Sequence, residues 1–198
     1  MLFMTIRVIA GCAGGFKLDV AKQSSTRPYL EKARGALFNA LAYKTQNAII
    51  LDVYAGSGIL GIEAMSRGGS DVTFIEADKS AAQVIEKNLT KCKIKGRVIC
   101  ARAEIAVKSL DKMFDLIFVD PPFPDAEKLE PTGRMVMETL AKKLMPNGLI
   151  IFRKESNKPA ESFSGLQIER DREYGRSRVI WYTANNQCQT SEIIGGKT

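Results

Sequence analysis

The stretch AIILDVYAGSGILGIEA, residues 48–64, decides the fold of this chain. Its first six residues are almost all apolar and rich in β-branched side chains, which predicts a buried strand. Gly56, Gly58 and Gly61 then form a G-x-G-x-x-G loop, and the apolar residues around it predict a helix over 59–67. A glycine loop between a strand and a helix is typical of α/β folds that hold a ligand at the carboxyl ends of parallel strands.

Strands and helical patterns alternate through the rest of the chain, which indicates an α/β fold. Strands with few polar residues predict a parallel sheet covered by helices on both faces. Further strands are predicted at 71–75, 97–100, 114–119, 149–152, 166–170 and 178–183, the last two as an antiparallel hairpin turning near Gly175. Further helices are predicted after the capping residue Asp78, in a short segment ending at Leu110, and over 132–144.

The first 44 residues differ from this pattern and are predicted to form a small appendage. Two short strands are expected at 6–10 and 16–20, followed by a helix over 29–43. Residues 45–184 would then form the α/β domain. Residues 185–198, which are polar and without pattern, are predicted to be a disordered tail.

The 198 residues include 29 Lys and Arg against 22 Asp and Glu, a formal charge of +7. Most of the excess lies in the appendage. Residues 1–44 hold seven basic and two acidic side chains, a charge of +5, whereas the other 154 residues hold 22 basic and 20 acidic side chains, a charge of +2. A basic segment of this kind favours a polyanionic partner, with a solvated basic face as the simpler alternative.

Several classes of protein are excluded by what the sequence lacks. It contains no histidine, which rules out Ser-His-Asp and Cys-His hydrolases, zincins and dehydrogenases with a histidine proton carrier. Cys12, Cys92, Cys100 and Cys188 lack metal-ligand spacing, so no metal is expected and they are interpreted as free thiols of a cytoplasmic protein. No secretory signal is apparent, and no apolar stretch approaches the ~18 residues of a membrane span.

Two carboxylates near the glycine loop bear on its ligand. Glu76, at the end of the next predicted strand, has the spacing of a ribose-binding carboxylate, which suits a dinucleotide and a methyl donor equally. Asp52 opposes the negative pyrophosphate of a dinucleotide but suits S-adenosylmethionine, which carries a sulfonium and an ammonium and no phosphate. Asp52 also has a simpler interpretation, as an acceptor of backbone N–H groups, and the two roles are compatible. We therefore expect S-adenosylmethionine as the cofactor.

A second motif, Asp120-Pro121-Pro122-Phe123, follows predicted strand 114–119 and so lies at the same edge of the sheet. The exocyclic amine of a nucleobase is a poor nucleophile because its lone pair is delocalised into the ring. The Asp120 carboxylate and the Pro121 carbonyl can accept its two N–H bonds, and the prolines keep these acceptors in place. Phe123 offers a face on which the base can stack. In the simpler interpretation the motif is an ordinary loop and Phe123 is a residue of the hydrophobic core. Together the two motifs favour an amino-methyltransferase.

Residues 49–152 resemble class I S-adenosylmethionine-dependent methyltransferases of the amino-methylating branch, and nearly the whole chain is similar to the bacterial 16S rRNA (guanine-N2)-methyltransferase D family. The matching segments are RVIAG at 7–11, TRP at 26–28, Arg34 with LFN at 37–39, LD at 51–52, AGSG at 55–58, LGIEA at 60–64, SRG at 66–68 and FDLIFVDPPF at 114–123. The resemblance implies a Rossmann-like fold with a mainly parallel seven-stranded sheet and an antiparallel C-terminal hairpin. It also implies methyl transfer to the N2 amine of one guanine in small-subunit rRNA.

The motifs and the resemblance together give two groups of expected site residues. Asp120, Pro121, Pro122 and Phe123 form the expected catalytic group. The expected cofactor-binding residues are Asp52, Tyr54, Ala55, Gly56, Ser57, Gly58, Glu76, Ala77, Arg102 and Ala103. Arg102 departs from the family, which has Asp or Asn where the adenine is bound, so a backbone group or Glu104 is expected to accept from the adenine amine.

With a base in RNA as the target, we interpret the basic appendage as a clamp on the RNA backbone. The expected RNA-binding residues are Arg7, Lys17, Arg27, Lys32 and Arg34. The expected partner is 16S rRNA, either free or within an assembling small ribosomal subunit. We expect a monomer that does not bind a membrane.

Three other functions share part of the pattern. An adenine or cytosine N-methyltransferase acting on DNA or another RNA would carry both motifs, although DNA enzymes generally need a target-reading domain. A dinucleotide-dependent oxidoreductase would explain the glycines but not Asp52 or the proline motif. A catalytically silent RNA-binding module would not need Asp120. Glu63 is open too: it either reaches the ammonium of the methyl donor or pairs with Arg67 at i+4.

Overall fold

A computed structural model of the chain describes residues 5–20, 29–121, 132–156 and 158–185. The strands in these residues are β1 Thr5–Arg7, β2 Lys17–Asp19, β3 Ile49–Val53, β4 Asp71–Glu76, β5 Arg97–Cys100, β6 Phe114–Val119, β7 Leu144–Glu155, β8 Leu166–Tyr174 and β9 Ser177–Ala184. The α-helices are α1 Tyr29–Ala40, α2 Ile59–Ser66, α3 Lys79–Cys92, α4 Ala103–Ala106 and α5 Thr132–Ala141, and a 3₁₀ turn follows α4 at Val107–Ser109.

Seven strands form one sheet in the order β5-β4-β3-β6-β7-β9-β8. The five strands from β5 to β7 pair in parallel, whereas β9 is antiparallel to both β7 and β8. This arrangement confirms the predicted fold class, including the antiparallel hairpin at the end of the sheet. Because β3 and β6 are neighbours, the residues that follow them meet at the same edge.

The predicted boundaries hold for most elements of the large sheet, but β8 continues to Tyr174 instead of ending at residue 170, and the segment around β7 differs most. The helix predicted over 132–144 ends at Ala141, and the strand predicted at 149–152 runs from Leu144 to Glu155. Leu144 pairs with Phe114, after which the register shifts and Leu149 pairs with Leu116. The segment around Asn147, which has a φ of 64°, is therefore absorbed into the strand as an irregularity rather than forming a separate loop.

Both faces of the sheet are covered, as the apolar strands predicted. One core contains Ile50, Phe74 and Phe118, and the other contains Leu51, Ile117 and several aromatic residues near β9. Successive strand residues thus alternate between the two cores, which is why these strands carry few polar side chains.

The hairpin formed by β1 and β2 packs on the first of these cores. Ile6 and Leu18 are register partners that face inward. Val8, which follows β1, and Phe38, which belongs to α1, are completely buried in the same cluster. The observed strands are shorter than the predicted ones, and α1 ends at Ala40 rather than at residue 43. The appendage is therefore joined to the large sheet through a continuous apolar core.

In the described ranges, none of the helices combines the length and the apolar character that a membrane crossing requires. Cys12, Cys92 and Cys100 are free thiols, with Cys92 buried and the other two exposed. Cys188 and the predicted tail beyond Asn185 lie outside the described residues.

Candidate active site

The glycine loop joins β3 to α2 at the carboxyl edge of the sheet. Gly58 adopts a left-handed conformation, φ 76°, at the start of α2, and its N–H donates to the Ala55 carbonyl at 2.7 Å. A Cβ placed on Gly58 would lie 3.1 Å from Ile85 of α3, whereas a Cβ placed on Gly56 would meet no atom within 4 Å. The backbone at Gly56 therefore faces open space, which allows a ligand to approach it closely.

Gly61 serves a different purpose in the same loop-helix unit. A Cβ at this position would lie 2.4 Å from a ring carbon of Phe74 in β4. The glycine thus lets α2 pack directly against the strand, which fixes the direction of the helix behind the loop.

Glu76 ends β4 and holds the loop from the side. One of its carboxylate oxygens accepts from the N–H of Gly56 at 2.8 Å, and the other accepts from the N–H of Asp78 at 2.9 Å. Since a carboxylate has about four acceptor positions, these bonds leave room for further donors. Asp78 in turn caps α3 by accepting from the N–H of Ala81, as the sequence predicts.

Asp52 is buried beneath the loop, with 1% of its surface exposed. Its Oδ2 accepts from the N–H of Gly61 at 2.9 Å, which confirms the expected backbone interaction. Burial raises the pKa of Asp52 well above its ordinary value; the Gly61 bond lowers it, and the negative charges of Asp120 and Glu76 raise it further. An additional role toward the positive charges of a cofactor remains a prediction.

The other expected cofactor residues follow the ends of β3, β4 and β5. Ser57 and Ala55 are buried in the loop, and Ala77 is exposed after β4. Burial and the nearby Glu104 raise the pKa of Tyr54 to about 12, although Arg102 partly opposes the shift.

Arg102, which departs from the family pattern, lies directly before α4. Its side chain is 72% exposed and its guanidinium pairs with the Glu104 carboxylate, whereas Ala103 is buried at the first position of the helix. The ion pair fixes Glu104 close to the end of β5. Glu104, or a backbone group, is expected to act in place of the usual Asp or Asn, and this stays a prediction.

Asp120 lies at the end of β6, beside the strand that leads into the glycine loop. Its N–H donates to the carbonyl of Val53 at 3.3 Å, and its carboxylate pairs with the Nε of Arg153 at 2.5 Å. Pro121 is buried. Pro122 and Phe123 lie outside the described residues, so their expected roles stay predictions.

Arg153 is a residue of the site that the sequence patterns did not single out. It follows Phe152, the register partner of Val119, and therefore flanks Asp120 on the neighbouring strand. A second guanidinium nitrogen donates to Ser177 of β9 at 3.4 Å. An arginine directly after the apolar run LIIF was the available signal, because parallel strands bring their carboxyl ends to one edge.

Glu63 is directed away from the loop and toward the hairpin. It is completely buried, and it accepts from the N–H groups of Ile9 at 2.7 Å and Ala10 at 3.2 Å and from the Nε of Arg67 at 2.7 Å. The predicted i+4 pairing with Arg67 is confirmed. These bonds fasten the hairpin to α2.

Arg34, expected at the RNA surface, is only 5% exposed. Its guanidinium donates to the carbonyl of Arg7, and burial lowers its pKa while the Glu63 carboxylate partly offsets the shift. A side chain in this position is unsuited to direct contact with an RNA phosphate. Its hydrogen bond instead joins α1 to the hairpin.

Arg7 and Lys17 are exposed and directly opposite each other in the hairpin. Two like charges at such a pair destabilise a hairpin unless a counter-charge lies between them. Arg27 and the side chain of Lys32 lie outside what the structure describes.

This edge of the sheet fits S-adenosylmethionine better than a dinucleotide. Asp52 and Glu76 place two carboxylates around a loop whose Gly56 backbone is open, while the charge of Asp120 is balanced by Arg153. That charge suits a ligand with a sulfonium and an ammonium and repels a pyrophosphate.

Among the residues that the structure describes, no group of three or more Cys, Asp or Glu side chains is arranged to hold a metal ion.

Comparison with known proteins gives consistent matches over most of the chain. Residues 6–183 match the family model described as "Conserved hypothetical protein 95". The chain is 36% identical over 163 residues to the ribosomal RNA small subunit methyltransferase D of Haemophilus influenzae, covering 78% of this chain and 81% of that protein. It is 33% identical over 184 residues to the Bacillus subtilis protein named "Putative rRNA methyltransferase YlbH", covering 89% and 98%.

A solved structure gives the same result. The protein described as "Putative methyltransferase yhhF from Escherichia coli" superposes with a TM-score of 0.82 at 30% identity, covering 93% of this chain and all of that one. The similarity therefore includes the hairpin region as well as the large sheet.

Proposed function

Because the chain belongs to the ribosomal RNA small subunit methyltransferase D family, we propose that it transfers a methyl group from S-adenosylmethionine to the exocyclic N2 amine of a guanine in 16S rRNA. The observation that carries the proposal is the position of Asp120, whose N–H donates to the carbonyl of Val53 directly before the glycine loop. An acceptor for an amine thus lies next to the residues that would hold the donor.

The loop side of the edge would bind S-adenosylmethionine, which supplies an electrophilic methyl group when bound. Glu76 keeps acceptor capacity for the ribose hydroxyls beyond its bonds to Gly56 and Asp78. The open backbone at Gly56 would lie against the methionine part, and Asp52 favours its positive charges. Glu104, held by Arg102, would accept from the adenine amine.

On the other side, Asp120 and the Pro121 carbonyl would orient the target amine. A carboxylate only accepts hydrogen bonds, and guanine presents two kinds of donor side by side, its N1–H and its N2 amine. Adenine places an acceptor nitrogen beside its amine. Asp120 alone would serve either amine, so the choice of guanine rests on the family to which the chain belongs. No strong base is required, because the amine becomes acidic only as its nitrogen gains positive charge.

The hairpin would hold the RNA backbone. Arg7 and Lys17 form an exposed pair of like charges, which a phosphate between them would neutralise. Lys32 and Arg27 belong to the same basic segment of the sequence. We infer that the substrate is 16S rRNA, either free or within an assembling small subunit, and that the enzyme acts as a cytoplasmic monomer.

Nucleoside analysis of rRNA tests the reaction itself. In a strain that lacks this protein, mass spectrometry of 16S rRNA should show one N2-methylguanosine fewer, and the wild-type protein should restore it. The Asp120→Ala variant serves as the control that does not restore it. An unchanged nucleoside profile in the deletion strain would contradict the proposal, and loss of a methyladenosine instead would favour the adenine alternative.

The salt dependence of RNA binding tests the basic surface. Replacing Arg7, Lys17 and Lys32 with Gln should reduce the slope of log K against log salt by about 0.7 for each phosphate that the protein no longer neutralises, about 2 in total. Lys95, Arg97 and Lys142 are exposed near the amino ends of β5 and β7, the opposite edge of the sheet, and form the matched control triple. Equal slopes for the two triples would place the RNA surface elsewhere.

A further inference from the structure

Asn88 lies in the interior of α3, where asparagine is a poor helix former, and its side chain is completely buried. Its Oδ1 accepts from the N–H of Asp19 at 2.8 Å. Its Nδ2 donates to the carbonyl of Asp19 at 3.0 Å and to the carbonyl of Ser57 at 2.9 Å. One side chain therefore joins β2 of the hairpin to the middle of the glycine loop.

The Ser57 carbonyl is a sensitive place for such a bond. Ser57 lies between Gly56, φ 56°, and Gly58, φ 76°, so the loop depends on two left-handed residues in close succession. Glycine is free to leave that conformation at little cost, and a bond that fixes the intervening peptide plane limits this freedom. Asn88 supplies that bond from outside the loop.

Helix α3 supports both of the elements that Asn88 connects. Ile85, one turn before Asn88, is buried beneath Gly58, and Lys91 pairs with the side chain of Asp19 at 3.1 Å. The Lys91 pair is about half exposed, so it contributes little, whereas the Asn88 side chain is completely buried and its bond to the Ser57 carbonyl is shielded from water. The hairpin and the loop thus meet on one face of α3 through a buried polar contact.

We propose that Asn88 is a positioning residue for the methyl-donor loop, and that the N-terminal hairpin contributes to the donor site through it. The proposal rests on the proposed function in that the loop holds S-adenosylmethionine. It assigns the hairpin a second role, distinct from contact with RNA: β2 orients Asn88, and Asn88 orients the Ser57 peptide.

Calorimetric titration with S-adenosylhomocysteine measures this role without turnover. Asn88→Asp keeps an oxygen that can accept from the Asp19 N–H. It replaces the Nδ2 donor with a second oxygen, which cannot donate to the Asp19 and Ser57 carbonyls. We expect its Kd to rise at least tenfold, because a buried carbonyl loses its donor. Asn88→Ser, which removes the same donor without adding a charge, should show the same direction. Lys91→Ala, on the same helix face, is the matched control and should stay within twofold of wild type.

Hydrogen exchange of the ligand-free proteins separates positioning from general destabilisation. In both Asn88 variants the amides of Gly56 and Gly58 should exchange at least tenfold faster, while those of Ile117 and Phe118 in β6 keep their protection. Faster exchange at all four amides to the same extent would overturn the proposal. So would a Kd within twofold of wild type for both variants.

The contribution of the hairpin is tested at Asp19. Asp19→Pro removes the backbone N–H that donates to Asn88 Oδ1. Asp19→Ala keeps this N–H and removes only the carboxylate that pairs with Lys91. We expect a Kd for S-adenosylhomocysteine several-fold higher in the proline variant and unchanged within twofold in the alanine variant. Equal affinities would overturn the role of the hairpin. Failure of the wild-type protein to bind S-adenosylhomocysteine would contradict the proposed function instead, and the exchange data would still decide the role of Asn88.

Discussion

On the β3–β4 side of the active site, the carboxylates of Asp52 and Glu76 accept from backbone N–H groups, whereas on the β6–β7 side the carboxylate of Asp120 pairs with the side chain of Arg153. Asp52 is 1% exposed, and the Asp120 and Arg153 side chains are each 23% exposed. Bonds to the backbone fix a loop in one shape, but an ion pair between side chains can exchange its partner. We therefore expect changes on the first side to alter donor affinity and changes on the second to alter turnover.

The largest effect is expected for Asp120→Ala. Loss of the acceptor for the target amine should lower kcat by about 10²- to 10³-fold, the range seen when one preorganised polar group is removed from an active site. The Kd for S-adenosylhomocysteine should remain within twofold of wild type. Single-turnover methylation of small-subunit rRNA and calorimetry measure the two quantities. Loss of donor affinity in this variant would break the division between the two sides.

Glu76→Ala should produce the opposite result. The N–H groups of Gly56 and Asp78 lose a charged acceptor, and such hydrogen bonds contribute about 1.5–3 kcal/mol. The Kd for S-adenosylhomocysteine should rise by about 10- to 100-fold, and kcat at saturating donor should fall much less. Glu86→Ala, an exposed change on α3, is the control. An unchanged Kd would show that Glu76 does not shape the loop.

Arg153→Lys is expected to have a smaller effect on turnover. Lysine keeps the charge but lacks the planar guanidinium that contacts both Asp120 and Ser177. We expect kcat to fall by about fivefold, roughly 1 kcal/mol, with donor affinity unchanged. Arg172→Lys, on the exposed strand β8, should leave kcat at the wild-type value. Equal kcat values for the two variants would remove Arg153 from the site.

The last prediction concerns stability rather than catalysis, through its pH dependence in wild type and in Asp52→Asn. Because burial raises the pKa of Asp52 above its ordinary value of 3.8, the folded protein keeps this proton to a higher pH than the unfolded chain. Unfolding therefore releases a proton in that window. The free energy of unfolding of wild type should fall relative to the variant as pH rises above 3.8, until the folded carboxyl has ionised. Urea denaturation across this range measures it, and parallel curves would contradict the buried, raised state of Asp52.

Local patterns in the sequence predicted the first side of the site better than the second. Each of three predicted features involves residues that are close together along the chain, and the structure contains all three. They are the β3–loop–α2 unit, the Asp78 cap and the Glu63–Arg67 pair. Such contacts are set by helical spacing and turn chemistry, which the sequence displays directly. Asp120 was found because it ends a strand with an unusual proline motif.

Contacts between distant segments could not be found in this way. Asn88 and Asp19 are 69 positions apart, and Arg153 and Asp120 are 33 apart, so neither pair leaves a local pattern. Arg34 shows that counting basic residues in a segment does not reveal which of them are exposed. Its positive charge adds to the basic total of the appendage, but tertiary packing buries it against the carbonyl of Arg7.

Strand β8 is an edge strand of the sheet, and its exposed residues affect how readily molecules associate at high protein concentration. Most of its nine residues are exposed, and charged side chains of both signs follow one another from Glu169 to Glu173. A row of such charges discourages a second molecule from adding a strand, since desolvating them is costly. This margin of the sheet is thus protected against fibre-like association.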